Sequence, residues 1–463
     1  MSNSFKLKKE YVLILSLIAA GFLSCLMLFA RPFVGIGYKG ILLGQLLIAV
    51  TFLISFTSFL PYINKMTREY LGDKFILVYR FIILIFVILS ILSNSSFLKP
   101  YTYKTSSYVW TFSILFLSIL LFDVLEIKIN YFFPILIIPL FIYLFSTGHY
   151  PDVIINFFKS NSDKFQFLKA SDLMITVICV NQFCKTLIKN NYYRLIYLCF
   201  TTALFTPLLL FMSRGSFIGL LLFFIFELFY TRELIKRDYI KSLAIFIFTF
   251  VIFISSLFYI DYLYVNEETK SLSYEENIQL FLQPGFGSSL SNSVTDLALK
   301  DESRKIFLSF YIHYGRIESK DPTTNWRLDI WQDITFDLFE EGKVFTGYGY
   351  REILPQMTDP TAPGRLGRDG LNENVHSYVV NILARGGILH FIAFAYLYFS
   401  MIKKWRVNIG NYKLLGFILP VMLTASLDIA MEGVQFPIIF FFTLGYLLVY
   451  EKNNLTNTSN MNL

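Results

Sequence analysis

Residues 372–387 read NENVHSYVVNILARGG, and this stretch decides the fold because a long polar interval ends in it and an apolar run begins. The polar interval covers about residues 264–373 and holds the densest set of acids, arginines, prolines and glycines in the chain. The sequence on both sides consists mainly of long apolar runs. The pattern predicts a membrane domain in two parts, separated by one large polar loop.

The composition favours an integral membrane protein. Hydrophobic residues make up 55% of the 463 residues and charged residues only 16%, whereas an average soluble domain carries about 25% charged residues. The net charge of +7 does not indicate nucleic-acid binding, because lysines and arginines lie between apolar runs rather than in a stripe. The four cysteines all lie in apolar segments and predict no disulfide framework.

Hydropathy predicts an all-α integral membrane protein with about twelve transmembrane helices, since a spanning helix needs about 20 mainly apolar residues. The first follows Lys6, Lys8 and Lys9 and has no cleavage site followed by a soluble domain, so we expect it to be retained. The predicted spans are 11–30, 41–61, 75–93, 106–125, 131–148, 170–189, 193–212, 216–230, 242–262, 376–402, 413–430 and 434–450.

The distribution of lysine and arginine predicts the orientation. With the N-terminus inside, the inner segments carry nineteen of these residues and the short outer segments eight, which is the bias expected for cytoplasmic loops. Both termini are then cytoplasmic and the large loop lies on the opposite side. The predicted domains are membrane spans 1–9 (1–263), a periplasmic loop (264–375), membrane spans 10–12 (376–450) and a cytoplasmic tail (451–463).

Local patterns predict some structure within the large loop. Apolar spacing over residues 325–339 indicates a helix, and the preceding Asp321-Pro322-Thr323-Thr324 is a typical start signal. Residues 347–350 and 280–293 are predicted to form turns.

Three side chains on the predicted outer side are candidates for chemistry. Arg214 lies there against the charge bias, which a bound anion would explain; the alternative is an interfacial anchor that snorkels to water. Arg327 lies four residues before Trp331 on one helical face, where it either binds substrate or packs on the indole. His376 serves either as a proton acceptor or as a helix cap.

Motifs for other chemistries are missing from the sequence. It contains no HExxH, no CxxC pair, no DxD-like triplet, no GxSxG and no P-loop. We therefore expect no metal and no cofactor. Glu373 either orients the nearby histidine or is a surface charge, and Trp331, Tyr348 and Tyr378 are candidate surfaces for stacking on sugars.

Four motifs follow one another over about residues 195–400, namely Ser213-Arg214-Gly215, Arg327 with Trp331, Gly347-Tyr348-Gly349 and residues 375–387. Their order resembles that of the O-antigen ligase/polymerase superfamily. The resemblance implies a multi-span helical bundle with a large periplasmic loop, which acts as a metal-independent glycosyltransferase on lipid-linked sugars. The family histidine is usually followed by Asn, whereas Ser377 stands here.

The same resemblance implies roles and partners. Arg214 and Arg327 would hold the diphosphate of an undecaprenyl-diphosphate-linked glycan donor, and His376 would activate or position the hydroxyl of the glycan acceptor. The lipid bilayer is the environment, a chain-length regulator is a candidate partner, and nucleic acid is not expected.

The resulting hypothesis is an O-antigen polymerase in the bacterial inner membrane. One alternative is an O-antigen ligase that transfers the glycan to lipid A core. A second is a lipid-linked oligosaccharide flippase, although the division of spans nine to three gives no sign of two related halves. A third is a non-catalytic assembly partner, which would not need the two arginines and the histidine.

Overall fold

The computed structural model describes residues 9–97, 99–164, 168–270, 309–362, 364–366, 372–428 and 430–461. Its architecture is an all-α bundle, which confirms the predicted fold class. Two short antiparallel hairpins accompany the helices, Gly37–Tyr38 with Ile41–Leu42 and Phe310–His313 with Arg316–Ser319. The α-helices are Lys9–Val34, Leu43–Thr57, Pro61–Leu71, Asp73–Leu92, Pro100–Thr105, Ser107–Trp110, Ile114–Ile119, Ile138–Ser146, Asp152–Asn161, Ala170–Leu187, Asn191–Met212, Arg214–Arg237, Tyr239–Lys270, Pro322–Glu340, Tyr378–Ile409, Lys413–Leu427 and Gln435–Met461.

The predicted count of twelve spans is not confirmed. Within the described residues, seven helical segments are long and apolar enough to cross a membrane, and two apolar helices, Leu43–Thr57 and Lys413–Leu427, are shorter. The other three predicted spans coincide with helices, but these do not meet the same measure of length and composition. The seven segments are Lys9–Val34, Asp73–Leu92, Ser107–Val124, Ile129–Ser146, Asn191–Met212, Tyr239–Leu263 and Tyr378–Ile409.

Ion pairs join connecting segments that are predicted to lie on the same side of the membrane. Lys104, in a turn predicted to lie outside, forms an ion pair of 2.7 Å with Glu373 at the end of the large loop. Lys452 and Glu69, both predicted to lie inside, form an ion pair with each other. In both pairs, the two segments that contact each other were predicted to lie on the same side of the membrane.

The helix predicted over residues 325–339 is present and runs over Pro322–Glu340; we call it the loop helix. Asp321 is its N-cap, and its carboxylate accepts a hydrogen bond of 2.9 Å from the Thr324 backbone amide. One face of the loop helix packs into a second, smaller core under the loop. The buried members of this core are Ile330, Ile334, Leu338, Leu354, Met357, Val375 and Ala384.

The helix after the loop, Tyr378–Ile409, is called the exit helix and is interrupted at Gly387 (φ 65°, ψ −173°). The predicted turn at residues 347–350 packs against this interruption. The Tyr348 amide donates to the Ala384 carbonyl at 2.7 Å, and the Gly349 amide donates to the Arg385 carbonyl at 3.0 Å. A Cβ atom at Gly347 would lie 2.6 Å from the Arg385 carbonyl carbon, so glycine permits the close approach.

Three further predictions, one on the loop and two on spans, compare with the structure as follows. The turns predicted over residues 280–293 lie outside the described residues. The span predicted at 216–230 is part of a longer helix, Arg214–Arg237. The span predicted at 131–148 begins as a 3-10 helix, Ile129–Ile137, which contains Pro134, and continues as Ile138–Ser146.

Candidate functional site

The first candidate arginine begins a membrane helix and reaches the loop. Arg214 Nη1 lies 2.9 Å from Asp321 Oδ2, so the carboxylate that caps the loop helix also binds this guanidinium. Burial alone would raise the pKa of Asp321. Hydrogen bonds from Thr324 and the charge of Arg214 outweigh burial and lower it. The pair joins the membrane bundle to the loop.

The two elements that carry the arginines meet near the end of one helix, Lys413–Leu427. Gly215 packs against Leu427, since a Cβ atom at Gly215 would lie 3.1 Å from the Leu427 Cβ. Arg327 Nη1 donates a hydrogen bond to the Leu427 backbone carbonyl from the loop side. Cations are favoured at this position, because the last carbonyls of a helix carry partial negative charge.

Trp331 holds the segment that carries the histidine. Its indole Nε1 donates a hydrogen bond of 2.6 Å to the carbonyl of Val375, a fully buried residue. Trp331 lies one helical turn beyond Arg327, as the spacing predicted. One face of the loop helix therefore contacts both the Leu427 helix end and the residue before His376.

His376 adopts a left-handed backbone conformation, with φ of 55°. Its Nε2 lies 3.0 Å from Asn372 Nδ2, and its ring stands edge-on to Trp326 with centroids 5.0 Å apart. Its Nδ1 is buried and has no hydrogen-bond partner among the described residues. An imidazole nitrogen of this kind is available to a substrate group.

The surroundings of His376 keep its ring neutral. Burial lowers the pKa of His376 to about 3, and the positive charge of Arg327 acts in the same direction. Lys169 and Arg31 lower this pKa further, while the negative charge of Asp428 opposes them. The histidine thus lies in a mainly cationic environment.

Three of these surrounding groups, together with Glu432 four residues beyond Asp428, were missed as site residues. Arg31 and Lys169 had the signal that singled out Arg214, since both are cations on the predicted outer side. Burial lowers the pKa of Lys169 to about 8, and Arg31 adds to this effect. Asp428 and Glu432 flank a short turn after an apolar run, where acids are unusual.

Two tyrosines predicted to stack on sugars, Tyr378 and Tyr348, are instead engaged within the protein. Tyr378 is 3% exposed and packs against Tyr108 and Phe394, so it presents no ring face for stacking on a sugar. The Tyr348 hydroxyl accepts a hydrogen bond of 2.8 Å from Gln356 in the loop core.

The acid beside the histidine does not orient it. Glu373 pairs with Lys104, whereas the side chain in contact with the imidazole is Asn372. The carboxylate instead holds the end of the loop against a neighbouring turn of the bundle.

Across the described residues, no three His, Cys, Asp or Glu side chains are grouped closely enough to hold a metal ion. The chemical groups of the site are guanidinium, ammonium, imidazole and carboxylate. Together they are suited to binding a phosphorylated substrate and moving a proton.

The fold and site define a multi-pass helical membrane protein with a cationic site between the bundle and a large polar loop. The O-antigen ligase family model matches residues 199–395, and this match supports the predicted resemblance to the O-antigen polymerase/ligase superfamily. No curated protein matches the chain. The matched region contains Arg214, Arg327 and His376 and ends before Asp428 and Glu432. The match supports an activity of the O-antigen ligase or polymerase type, which is a glycosyltransferase-like reaction.

Proposed function

We propose that the protein is an O-antigen polymerase, which joins undecaprenyl-diphosphate-linked repeat units by metal-independent glycosyl transfer at the periplasmic face of the bacterial inner membrane. Both termini are cytoplasmic in this proposal, and a chain-length regulator is a candidate partner. The observation that carries the proposal is the neutral imidazole of His376, set among Arg327, Arg31 and Lys169 with one ring nitrogen unpartnered among the described residues.

The arginines are suited to the leaving group. A guanidinium binds phosphate oxygens with paired N–H donors and stays charged at every physiological pH. The helix that begins with Arg214 and the loop helix that carries Arg327 both contact the end of the Lys413–Leu427 helix, one from the bundle and one from the loop. A diphosphate bound between them would carry the developing negative charge of the reaction where cations already stand.

The reaction is a single displacement. The acceptor hydroxyl oxygen attacks the anomeric carbon of the donor sugar, and the bond between that carbon and the diphosphate oxygen breaks. The electron pair leaves with the diphosphate, and the hydroxyl proton passes to the neutral ring of His376. Inversion at the anomeric carbon is expected, because the proposal includes no nucleophilic carboxylate.

Donor binding would also strengthen the base. One negative charge about 6 Å from the imidazole, at an effective dielectric constant of about 20, stabilises the protonated ring by about 3 kcal/mol, or about two pKa units. The low pKa of His376 therefore belongs to the site without its anionic substrate. Proton acceptance is therefore easier with the diphosphate present than without it.

The second candidate function is an O-antigen ligase, which the name of the matching family favours. Its donor is the same class of molecule, so the diphosphate and imidazole roles are unchanged. The two functions differ in the acceptor, which is another lipid-linked repeat unit for a polymerase and lipid A core for a ligase.

A deletion strain tests the proposal through the glycans on its lipid A core. A single repeat unit on the core identifies a polymerase. A bare core with lipid-linked polymer accumulating identifies a ligase and overturns the polymerase assignment.

Complementation tests the site in the same strain. Arg214→Ala, Arg327→Ala and His376→Ala should each leave the protein in the membrane and abolish long-chain glycan on a gel. Arg351→Ala is the matched control, because Arg351 is an exposed arginine of the same loop and should restore the full ladder. Undiminished ladders from all three site variants would refute the assigned roles.

A further inference from the structure

A small polar cavity lies near the cationic site. Its volume is about 40 Å³, which is room for a few water-sized groups but not for a whole sugar ring or a diphosphate. Six of the side chains that line it are Tyr101, Lys104, Glu373, Asn381, Arg385 and Glu432. It is thus built from both hydrogen-bond donors and acceptors.

Glu432 is the unusual member of this lining. Both of its carboxylate oxygens are buried, and neither has a hydrogen-bond partner among the described residues. Its backbone carbonyl accepts a hydrogen bond of 3.0 Å from the Ser107 hydroxyl, which fixes the turn that carries it. A buried carboxyl group without a partner is costly unless a ligand supplies one.

The cations of the cavity are already engaged. Arg385, 3% exposed, donates through Nη1 to the Glu352 carbonyl at 2.5 Å and through Nη2 to the Tyr101 hydroxyl at 3.3 Å. Lys104 is paired with Glu373 at 2.7 Å. Because these cations already make ionic or hydrogen bonds within the protein, the cavity favours a neutral polar ligand over an anion.

The carboxyl group itself tends to be neutral. Burial raises the pKa of Glu432 to about 8, and the negative charge of Asp428 acts in the same direction. Arg31, Arg385 and Lys169 oppose this shift. A neutral carboxyl group both donates and accepts hydrogen bonds, as a sugar hydroxyl does.

The cavity adjoins the proposed reaction centre. Asn374, two residues before His376, is part of its lining. Arg31, Lys169 and Asp428 act electrostatically on both His376 and Glu432. The cavity and the imidazole therefore lie in the same charged neighbourhood.

We propose that this cavity is the acceptor subsite and that it takes the hydroxyl edge of the acceptor sugar, with Glu432 as the hydrogen-bonding partner of a sugar hydroxyl. The inference rests on the proposed glycosyl transfer and assigns its second substrate a place. The cationic groups around His376 hold the donor diphosphate, and this cavity holds a neutral hydroxyl group of the acceptor. A site built to bind a hydroxyl discriminates strongly against sugars that lack it.

The test separates acceptor use from donor binding in purified full-length protein. Transfer is measured with lipid-linked repeat units extracted from the deletion strain, and donor binding is measured with undecaprenyl diphosphate alone. Glu432→Ala should lower the transfer rate at subsaturating repeat unit at least tenfold and leave the Kd for undecaprenyl diphosphate within twofold. Glu432→Gln should stay within about threefold at pH 7, because the amide also donates and accepts.

Two further variants show whether a loss of transfer comes from the cavity or from misfolding of the protein. Lys104→Ala alters the exposed side of the cavity and should lower transfer at least threefold with an unchanged Kd. Glu340→Ala, at an exposed end of the loop helix, should match the wild type in both assays.

The outcomes of the two proposals are distinct. Wild-type levels of transfer by Glu432→Ala, or an equal loss of transfer and undecaprenyl diphosphate binding, would overturn the acceptor subsite. Absence of transfer by the wild type, with no binding of undecaprenyl diphosphate, would instead overturn the glycosyl transfer itself.

Discussion

Replacing His376 by asparagine should remove a large part of the protein's sensitivity to acid. The imidazole has a pKa of about 3 in the folded protein, because it is buried beside Arg327, and about 6.5 in the unfolded chain. Between these values the unfolded chain binds the proton more tightly, so acidification favours unfolding. The stabilising effect is fully present above pH 6.5 and is lost progressively as the pH falls towards 3.

The magnitude follows from the two pKa values. Between pH 7 and pH 5, protonation of His376 in the unfolded chain alone costs about 2 kcal/mol of unfolding free energy. Asparagine is the matched substitution, since it tolerates a φ of 55° better than most residues and does not titrate. All other groups titrate alike in the two proteins, so the difference between them isolates this one ring.

The assay is thermal unfolding in a mild detergent, followed by tryptophan fluorescence at pH 7 and pH 5. The wild type should lose about 2 kcal/mol more stability than His376→Asn over this interval. Equal losses would show that the ring is not held neutral by its surroundings. That result would also remove the basis for its role as a neutral proton acceptor.

Three other expectations concern the elements around the site. Trp331→Phe removes the hydrogen bond to the buried Val375 carbonyl and should cost about 1–3 kcal/mol of stability, with transfer lowered at least about tenfold because the histidine segment is displaced. Gly387→Ala places a Cβ against the Phe345 carbonyl at a positive φ and should strongly reduce the yield of folded protein. A reporter fused near Gly364 should be active only on the periplasmic side.

Each of these expectations has a matched control or a decisive contrary result. Trp405→Phe breaks a comparable indole bond, to Asn411 at the other end of the exit helix, and should leave transfer unchanged. Gly342→Ala has the same φ of 65° but open space around its Cβ, so it should be tolerated much better than Gly387→Ala. Equal effects within either pair would contradict the assigned contacts, and cytoplasmic activity of the Gly364 fusion would overturn the orientation.

Local patterns in the sequence predicted the elements that depend on nearby residues. The loop helix follows from apolar spacing and from Asp321, whose carboxylate caps it as expected. Arg214 and Arg327 were singled out by their positions. The structure bonds Arg327 to the Leu427 carbonyl and Arg214 to Asp321 at the start of the loop helix. Their roles in binding a substrate remain predictions.

The surroundings of His376 could not be predicted, because they depend on which helix ends become neighbours in the bundle. Arg31, Lys169 and Asp428 come from three distant parts of the chain, and only packing of the bundle sets them around His376. The same holds for Lys104, which pairs with Glu373 across 269 positions of sequence. A single sequence reports the chemistry of each residue but not these distant pairings.

The hydrogen bonds between residues 347–349 and the interrupted exit helix restrict which sequence exchanges such proteins can accept. Backbone atoms of the loop bond to backbone atoms inside a membrane helix, at Ala384 and Arg385. Hybrids that import a foreign loop should assemble only when residues 344–350 and 384–388 are exchanged as one unit. Recombination between relatives would then tend to keep these two segments from the same parent.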